Sequence, residues 1–415
     1  MMPRPAAAQT PQTEAFVEEV PSETKNRVGL DIYAFGQGDE TGLAGNQFRA
    51  EAFQYGAIGI DTRFAVGKHT SLLYNGVLAY IENDLDNPLP PELEERGLIT
   101  SATENILTLD TSAAIQFNPN GGPWTVTPGF FYHHQNGFVA VGPNLDLARV
   151  LAGGDAVVFA NLAFRIAWPW WQNFDGTPFD RPEQYSTSFL LGWRQYWSRS
   201  WLTVMSAQFT RQDGRLHNTL NYVTVTNQSV VDPRDAFVRN IVQENLPTER
   251  TRVQINLRTK YTPAVGWALG ADGSAYFDDW GILHFAVQPN VDFEVYRGAR
   301  LNLWYRYGVQ RQTMYFVESQ DAGDLRTRAG TLAEFGDNGL NGLPGEPFRR
   351  FADGVFATQD SDLATFETHS PGFIFTFPIG TLYRTRWGGR LSGYGFYRTD
   401  ALFAAGANAG VVTEW

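Results

Sequence analysis

The chain has 415 residues, a formal net charge of −12, 41 glycines, 14% aromatic residues and no cysteine. The missing cysteine excludes disulfide frameworks, thiol catalysis, Cys-ligated metals and covalently attached haem, and the acidic balance weighs against nonspecific nucleic-acid binding. No run approaches the roughly 18 apolar residues of a membrane-crossing helix, so a membrane role requires a closed barrel, because only helices and barrels satisfy their backbone in lipid.

Residues 1–26 read as a disordered tail or a signal remnant. They lack an apolar signal core, although Pro5-Ala6-Ala7-Ala8-Gln9-Thr10 is like the small-residue end of a signal peptide. From residue 27 to 415 no helical periodicity survives, and alternating segments separated by turn signals recur. Val28, Leu30, Ile32 and Ala34 form the first alternating row; Ile58, Ile60, Thr62, Phe64 and Val66 form the second. A Gly67-Lys68-His69 turn leads to a strand over 72–81, and Leu107 to Phe117 alternates again. The turn at 118–122 precedes Trp124, Val126, Pro128, Phe130 and Tyr132. Counting up and down fails between Tyr132 and Asp155, and a strand near 137–150 repairs it. The clearest case is Val253, Ile255, Leu257, Thr259 and Tyr261 against Arg252, Gln254, Asn256, Arg258 and Lys260: one face apolar but for a threonine, the other wholly polar.

Segments of about ten to fifteen residues exceed the usual strand and match a tilted crossing of a bilayer. Aromatics such as Trp193, Trp197, Trp201, Tyr261, Trp267 and Trp387 gather at strand ends, as interfacial girdles do. Short turns near 67–70, 118–123, 198–200, 262–266, 297–300 and 378–381 alternate with long polar connections at 84–103, 169–184, 213–250 and 317–361. Proline at Pro128 and Pro289 weighs against central strands there. The expected fold is all-β: a single antiparallel transmembrane barrel of about sixteen strands (fourteen to eighteen), with short periplasmic turns and long extracellular loops, in a bacterial outer membrane. The final strand supports this. Trp415, Thr413, Val411, Ala409 and Ala407 form one face, and Trp415 reads as an assembly signal in the periplasmic girdle. A soluble all-β protein ending in Trp is the bland alternative.

From Arg250 through Phe316 the chain resembles a functionally uncharacterised family of outer-membrane β-barrels. The residues that carry the resemblance are Arg250-Thr251-Arg252, Tyr276-Phe277-Asp278-Asp279-Trp280-Gly281-Ile282-Leu283-His284, Leu303 to Gln310, and Tyr315-Phe316. The family usually carries Tyr-Arg at the start of the central motif; here Ala275 precedes Tyr276 and Phe277 follows it. The resemblance implies fold and location, and no activity.

Parity assigns a lumen lined by Arg252, Gln254, Asn256, Arg258, Lys260, Asp292, Glu294, Arg306, Arg384, Arg386 and Arg390. Buried charges must be paired or wet, so the lining is either a water-filled pore whose arginines select anions or an ion-pair network that stiffens the wall. Asp278, Asp279, Trp280 and Gly281 belong at the extracellular rim. Their paired carboxylates can hold a divalent cation or act as acid and base. The favoured reading is a tight turn capped by Asp, with Gly at the special dihedral and Trp in the girdle. His133 and His134 point to opposite faces and cannot share a metal, and no serine has a His partner by strand logic. The expectations are therefore no enzyme, no cofactor and no metal. The function expected is a channel for diffusion or export of small polar or anionic solutes. The alternative is a scaffold barrel anchoring a secretion, polysaccharide-export or electron-transfer assembly. Expected partners are the lipid bilayer, lipopolysaccharide, the barrel-assembly machinery and a periplasmic or extracellular envelope partner, with no nucleic acid.

Overall fold

The computed structural model describes residues 26–39, 53–83, 106–135, 138–168, 183–214, 222–224, 241–243, 246–316, 361–382, 385–399 and 402–415, together with residues 216, 356 and 358. The expected tail before residue 26, Arg384 and most of the long connections lie outside the described residues. The strands are β1 (Arg27–Asp39), β2 (Phe53–Gly67), β3 (Thr70–Asn83), β4 (Ile106–Phe117), β5 (Trp124–Gln135), β6 (Phe138–Leu151), β7 (Ala156–Trp168), β8 (Gln184–Ser198) and β9 (Trp201–Gly214). They continue with β10 (Tyr222–Thr224), β11 (Ile241–Gln243), β12 (Glu249–Ala264), β13 (Trp267–Asp278), β14 (Leu283–Tyr296), β15 (Ala299–Arg311), β16 (Phe366–Leu382), β17 (Thr385–Arg398) and β18 (Leu402–Glu414). Sixteen of them form one closed antiparallel barrel, and β10 and β11 pair with each other in the connection from β9 to β12.

The barrel closes by pairing β1 with β18 without a break, from Arg27 opposite Glu414 to Asp39 opposite Leu402. Closure removes the sheet edges that would otherwise leave a row of unpaired amides. The strand required between Tyr132 and Asp155 is β6. Every connection on the end that holds Arg27 and Glu414 is short, and the long ones all lie at the opposite end. One turn is displaced from its expected place. The sequence put it at 378–381, but β16 runs on to Leu382, with a bulge between Pro378 and Gly380.

The prolines also correct an expectation. Pro128, Pro143, Pro289 and Pro371 all sit inside barrel strands. Each keeps one ladder and interrupts the other: Pro289 stays opposite Ala271, while pairing of β14 with β15 stops at Val287 and resumes at Asn290. The same gap occurs beside Pro128, Pro143 and Pro371. A missing N–H costs one or two ladder bonds locally, which long strands bonded on both sides tolerate.

Alternation sorts the two faces. The outward rows are apolar and exposed, as with Leu30, Ile58, Ile255, Leu257, Phe285 and Leu303. Among the side chains described, charged residues on those rows are confined to strand ends: Arg149 near the short-turn end, and Arg211, Asp213, Glu249, Arg311 and Glu367 near the other. Inward, aromatic rings lie flat against the wall over glycines. A Cβ on Gly192 would come 2.2 Å from the Phe159 ring, and one on Gly372 equally close to Trp304. Such pairs restore the packing that glycine gives up and keep large rings out of the bore. Among the described residues the barrel has no central apolar core. Leu246, Trp280, Ile282 and Phe316 are each buried at the long-loop end instead.

Candidate functional site: inner wall and rim turn

The inner wall of β12 to β15 is built by register. Arg258 faces Asp272 across the β12–β13 ladder, and its Nε donates to Asp272 Oδ1 at 2.5 Å. Asn290 Nδ2 approaches the other carboxylate oxygen at 3.4 Å. Lys260 Nζ donates to Asp292 Oδ2 at 3.1 Å, and Arg300 Nε lies 3.9 Å from Asp292 Oδ1. Gln254 donates to Asn256 at 2.9 Å, and Asn256 reaches Ser206 on β9. Arg306 shares the inward row and lies within electrostatic reach of Asp272. Glu294 also sits on that row, but its carboxylate caps the β14–β15 turn by accepting from the Gly298 N–H at 2.7 Å.

Here the two sequence readings separate. Arg258 and Lys260 belong to an ion-pair network along the wall. Arg386 and Arg390, on the inward row of β17, are exposed and make no ion pair among the described residues. Glu414 on β18 stands opposite Arg386, and across the seam lies Arg27, 3.4 Å from Asp61. Counted over the inward rows of the described barrel strands, Arg and Lys outnumber Asp and Glu. The chain as a whole carries −12.

The rim turn joins β13 to β14 at the long-loop end. Asp278 Oδ1 accepts from the Ile282 N–H at 2.9 Å, the Gly281 N–H donates to the Asp278 carbonyl at 3.2 Å, and Gly281 takes φ 88°. That φ is the left-handed conformation for which the turn needs glycine. Asp278 Oδ2 accepts from the Arg250 guanidinium at 2.5 Å and from the Tyr276 hydroxyl at 2.8 Å. Asp279 pairs with β12: its carboxylate accepts from the Thr251 N–H at 3.0 Å, and its own N–H donates to the Thr251 carbonyl. Both carboxylates are therefore engaged by protein groups. Among the described residues no three His, Asp or Glu side chains are arranged to hold a metal.

Trp280 is 2% exposed rather than in an outward girdle. Its indole N–H donates to the Glu249 carbonyl at 3.0 Å, its carbonyl accepts from the Thr313 hydroxyl at 2.7 Å, and its ring meets Tyr315 edge-on at 6.1 Å. Tyr315 in turn packs on Phe356, and its carbonyl accepts from the Thr358 N–H. Burial raises the Tyr315 hydroxyl pKa, and Asp279 and Asp278 push it the same way. The turn thus ties down the chain on both sides of the long connections. Sequence reasoning did not single out Leu246, Thr313 or Thr358, whose signal is only that they flank long polar stretches.

The histidines divide as expected. His133 faces inward with Nδ1 2.7 Å from Asp110, while His134 faces outward beside Tyr132. His284 is on the inner wall. His369 was not singled out. It faces outward and bonds the Tyr305 hydroxyl at 2.6 Å, with Tyr307 and Tyr397 around it.

No curated protein matches the sequence. Among solved structures, the chain is similar to a bacterial polysaccharide outer membrane secretin, with 7% identity, a TM-score of 0.42, and 93% of this chain and 97% of that one covered. It is similar to CdiB from Acinetobacter baumannii, with 10% identity, a TM-score of 0.46, and 93% and 60% covered. It is also similar to Pseudomonas aeruginosa OccK1, with 8% identity, a TM-score of 0.41, and 94% and 98% covered. Residues 144–381, more than half of the sequence, match the family described as "Protein of unknown function (DUF3570)", and the chain belongs to that family.

Proposed function

We propose that this protein is an integral outer-membrane barrel that lets small polar solutes, anions preferentially, pass through its bore. Its strands of 12 to 17 residues are long enough for a tilted crossing, which needs about 9–11 residues. Its outward rows are apolar with charges only at their ends, as a lipid-facing wall requires. The short-turn end is periplasmic in this reading, and the long connections are extracellular.

The observation that carries the anion preference is the inner surface. Cationic side chains outnumber carboxylates there, although the whole chain is acidic. Arg386 and Arg390 stand exposed in the bore and make no ion pair among the described residues, Glu414 being the residue opposite Arg386 in register. Exposed guanidinium groups on the wall of a bore attract anions and repel cations. Ion pairs such as Lys260–Asp292 hold the wall of β12 to β14 fixed.

The test is purified protein in a planar bilayer under a potassium chloride gradient. Discrete conductance steps with a reversal potential displaced toward that of chloride are expected. Folded, inserted protein that stays silent, or that prefers potassium, overturns the reading.

A further inference from the structure

We propose that the outward face of β12 to β15 binds one molecule of the lipid A moiety of lipopolysaccharide, with an acyl chain along a groove and a phosphate at Arg311. This rests on the outer-membrane reading above and gives it a specific lipid site.

The groove follows from side-chain size. The outward row of β13 runs Leu269, Ala271, Gly273, Ala275, Phe277, so its middle is small. Its neighbours are tall: Ile255 and Leu257 on β12, Phe285 and Val287 on β14. One low row between two high ones leaves a channel of about 430 Å³, continued on β15 by Tyr307 and Val309. That volume lies within the roughly 300–1,000 Å³ of small-molecule sites. Its floor is one strand wide and its walls are apolar, which suits an extended hydrocarbon chain better than a helix or a second sheet.

Charge identifies the rest of the occupant. The outward row of β15 continues from Tyr307 and Val309 to Arg311, which is exposed and makes no ion pair among the described residues. Arg311 ends a 13-residue strand whose other end is the β14–β15 turn. A tilted strand of that length crosses the hydrocarbon layer, so Arg311 sits at headgroup level on the long-loop side. The other charged groups facing this region are already engaged. Arg211 binds Asp213 at 3.3 Å and Glu249 at 3.0 Å, Asp279 accepts from Thr251, and Glu367 is hydrogen-bonded to Tyr307. Guanidinium–phosphate pairs are charge-assisted and commonly bidentate. An outer-leaflet lipid carrying both phosphates and acyl chains fits a groove crowned by one open arginine.

Space permits a clean test. A Cβ at Gly273 would meet only the Leu257 carbonyl oxygen, at 3.9 Å, so leucine can stand there and fill the groove. The full chain is folded into phosphatidylcholine nanodiscs containing bisphosphorylated lipid A at low mole fraction, released into detergent and weighed by native mass spectrometry. Wild type should retain one lipid A. Gly273→Leu/Ala275→Leu and Arg311→Glu should each retain at least tenfold less. Ala407→Leu, on the outward row of β18, should match wild type, and Glu367→Gln should retain as much or more. Equal retention by wild type and either groove variant overturns the site, and equal retention of phosphatidylglycerol overturns its assignment to lipid A. The heat-shifted gel band reports insertion separately: no insertion sinks the membrane reading, whereas an inserted barrel without lipid A sinks only this inference.

Discussion

Arg250 stacks over the Trp280 ring, its guanidinium carbon 4.2 Å from the ring centroid, while the same guanidinium binds Asp278. The arginine side chain is 12% exposed and the aspartate side chain 0%. Removing one partner of a pair this buried strands the other and costs about 3–5 kcal/mol. The cation–π contact adds roughly 1–2 kcal/mol in a desolvated site. Asp278→Ala should therefore lower the temperature at which the folded, heat-shifted band disappears on gels. Asp279→Ala, which loses one backbone hydrogen bond, should cost about 1 kcal/mol. Neither effect should depend on EDTA. A shift with EDTA in wild type, abolished in both variants, would restore the cation-binding reading of this turn.

Parity on β12 makes a second prediction. Leu257 is 47% exposed on the outward row, and its neighbour Arg258 is tied to Asp272 inside. Leu257→Arg sets a charge against lipid near mid-strand and should cost roughly 2–4 kcal/mol or block insertion. Arg258→Leu should be milder. It leaves Asp272 without its guanidinium, but Asn290 remains beside it and the bore supplies water. The measurement is urea-induced unfolding in liposomes, and equal costs for the two variants would contradict the assignment of faces.

How much of this was legible beforehand depends on the range of the signal. Alternation is local, so Val253 to Tyr261 declared both faces of β12 before any partner was known. Strand parity even demanded β6 where its own pattern is broken by Gly142 and Pro143. Register is not local. That Arg258 pairs with Asp272, while Arg390 stands opposite Gly410, follows from which residues stand opposite, and alternation does not encode that. The rim motif failed in an instructive way. Its turn chemistry was readable from Asp278 and Gly281, but Trp280 was expected in the girdle and is buried instead. The groups that meet it, the Glu249 carbonyl, the Thr313 hydroxyl and the Tyr315 ring, arrive from distant parts of the chain. The prolines misled because a proline argues against a central strand of five or six residues, whereas these strands have ladder bonds in excess.

Selectivity should follow the exposed inner arginines. Arg386→Glu/Arg390→Glu replaces two positive charges of the bore with two negative ones without touching the Arg258 or Lys260 pairs. The reversal potential in a salt gradient should move from the chloride side toward the potassium side. Conductance itself should persist. Arg258→Gln, which dismantles one wall pair, should move it far less. An unchanged reversal potential in the double variant would mean that selection occurs elsewhere in the bore.

The last strand sets the closing prediction. Residues 411–415 pair on two sides: Val411 with Leu30 and Gly389, Glu414 with Arg27 and Arg386. Trp415 completes the seam by exchanging backbone hydrogen bonds with Asn26, both 3.2 Å, and its ring meets Phe64 at 6.4 Å. Deleting 411–415 strips the ends of β1 and β17 of their partners at once. Unpaired amides facing hydrocarbon cost several kcal/mol each, far more than the loss of the Trp415 ring alone. The truncated chain should therefore yield no heat-shifted band from the outer membrane and should be degraded or retained in the periplasm. Trp415→Phe should insert normally, because the ring keeps its interfacial place and both of the residue's bonds to Asn26 are made by backbone. Trp415→Asp keeps those bonds as well but sets a charge at the interface, where the cost is only about 0–1 kcal/mol. It should insert more slowly yet reach the folded state. A truncated chain that still gives a stable heat-shifted band would show that closure of β1 on β18 does not hold this barrel in the membrane.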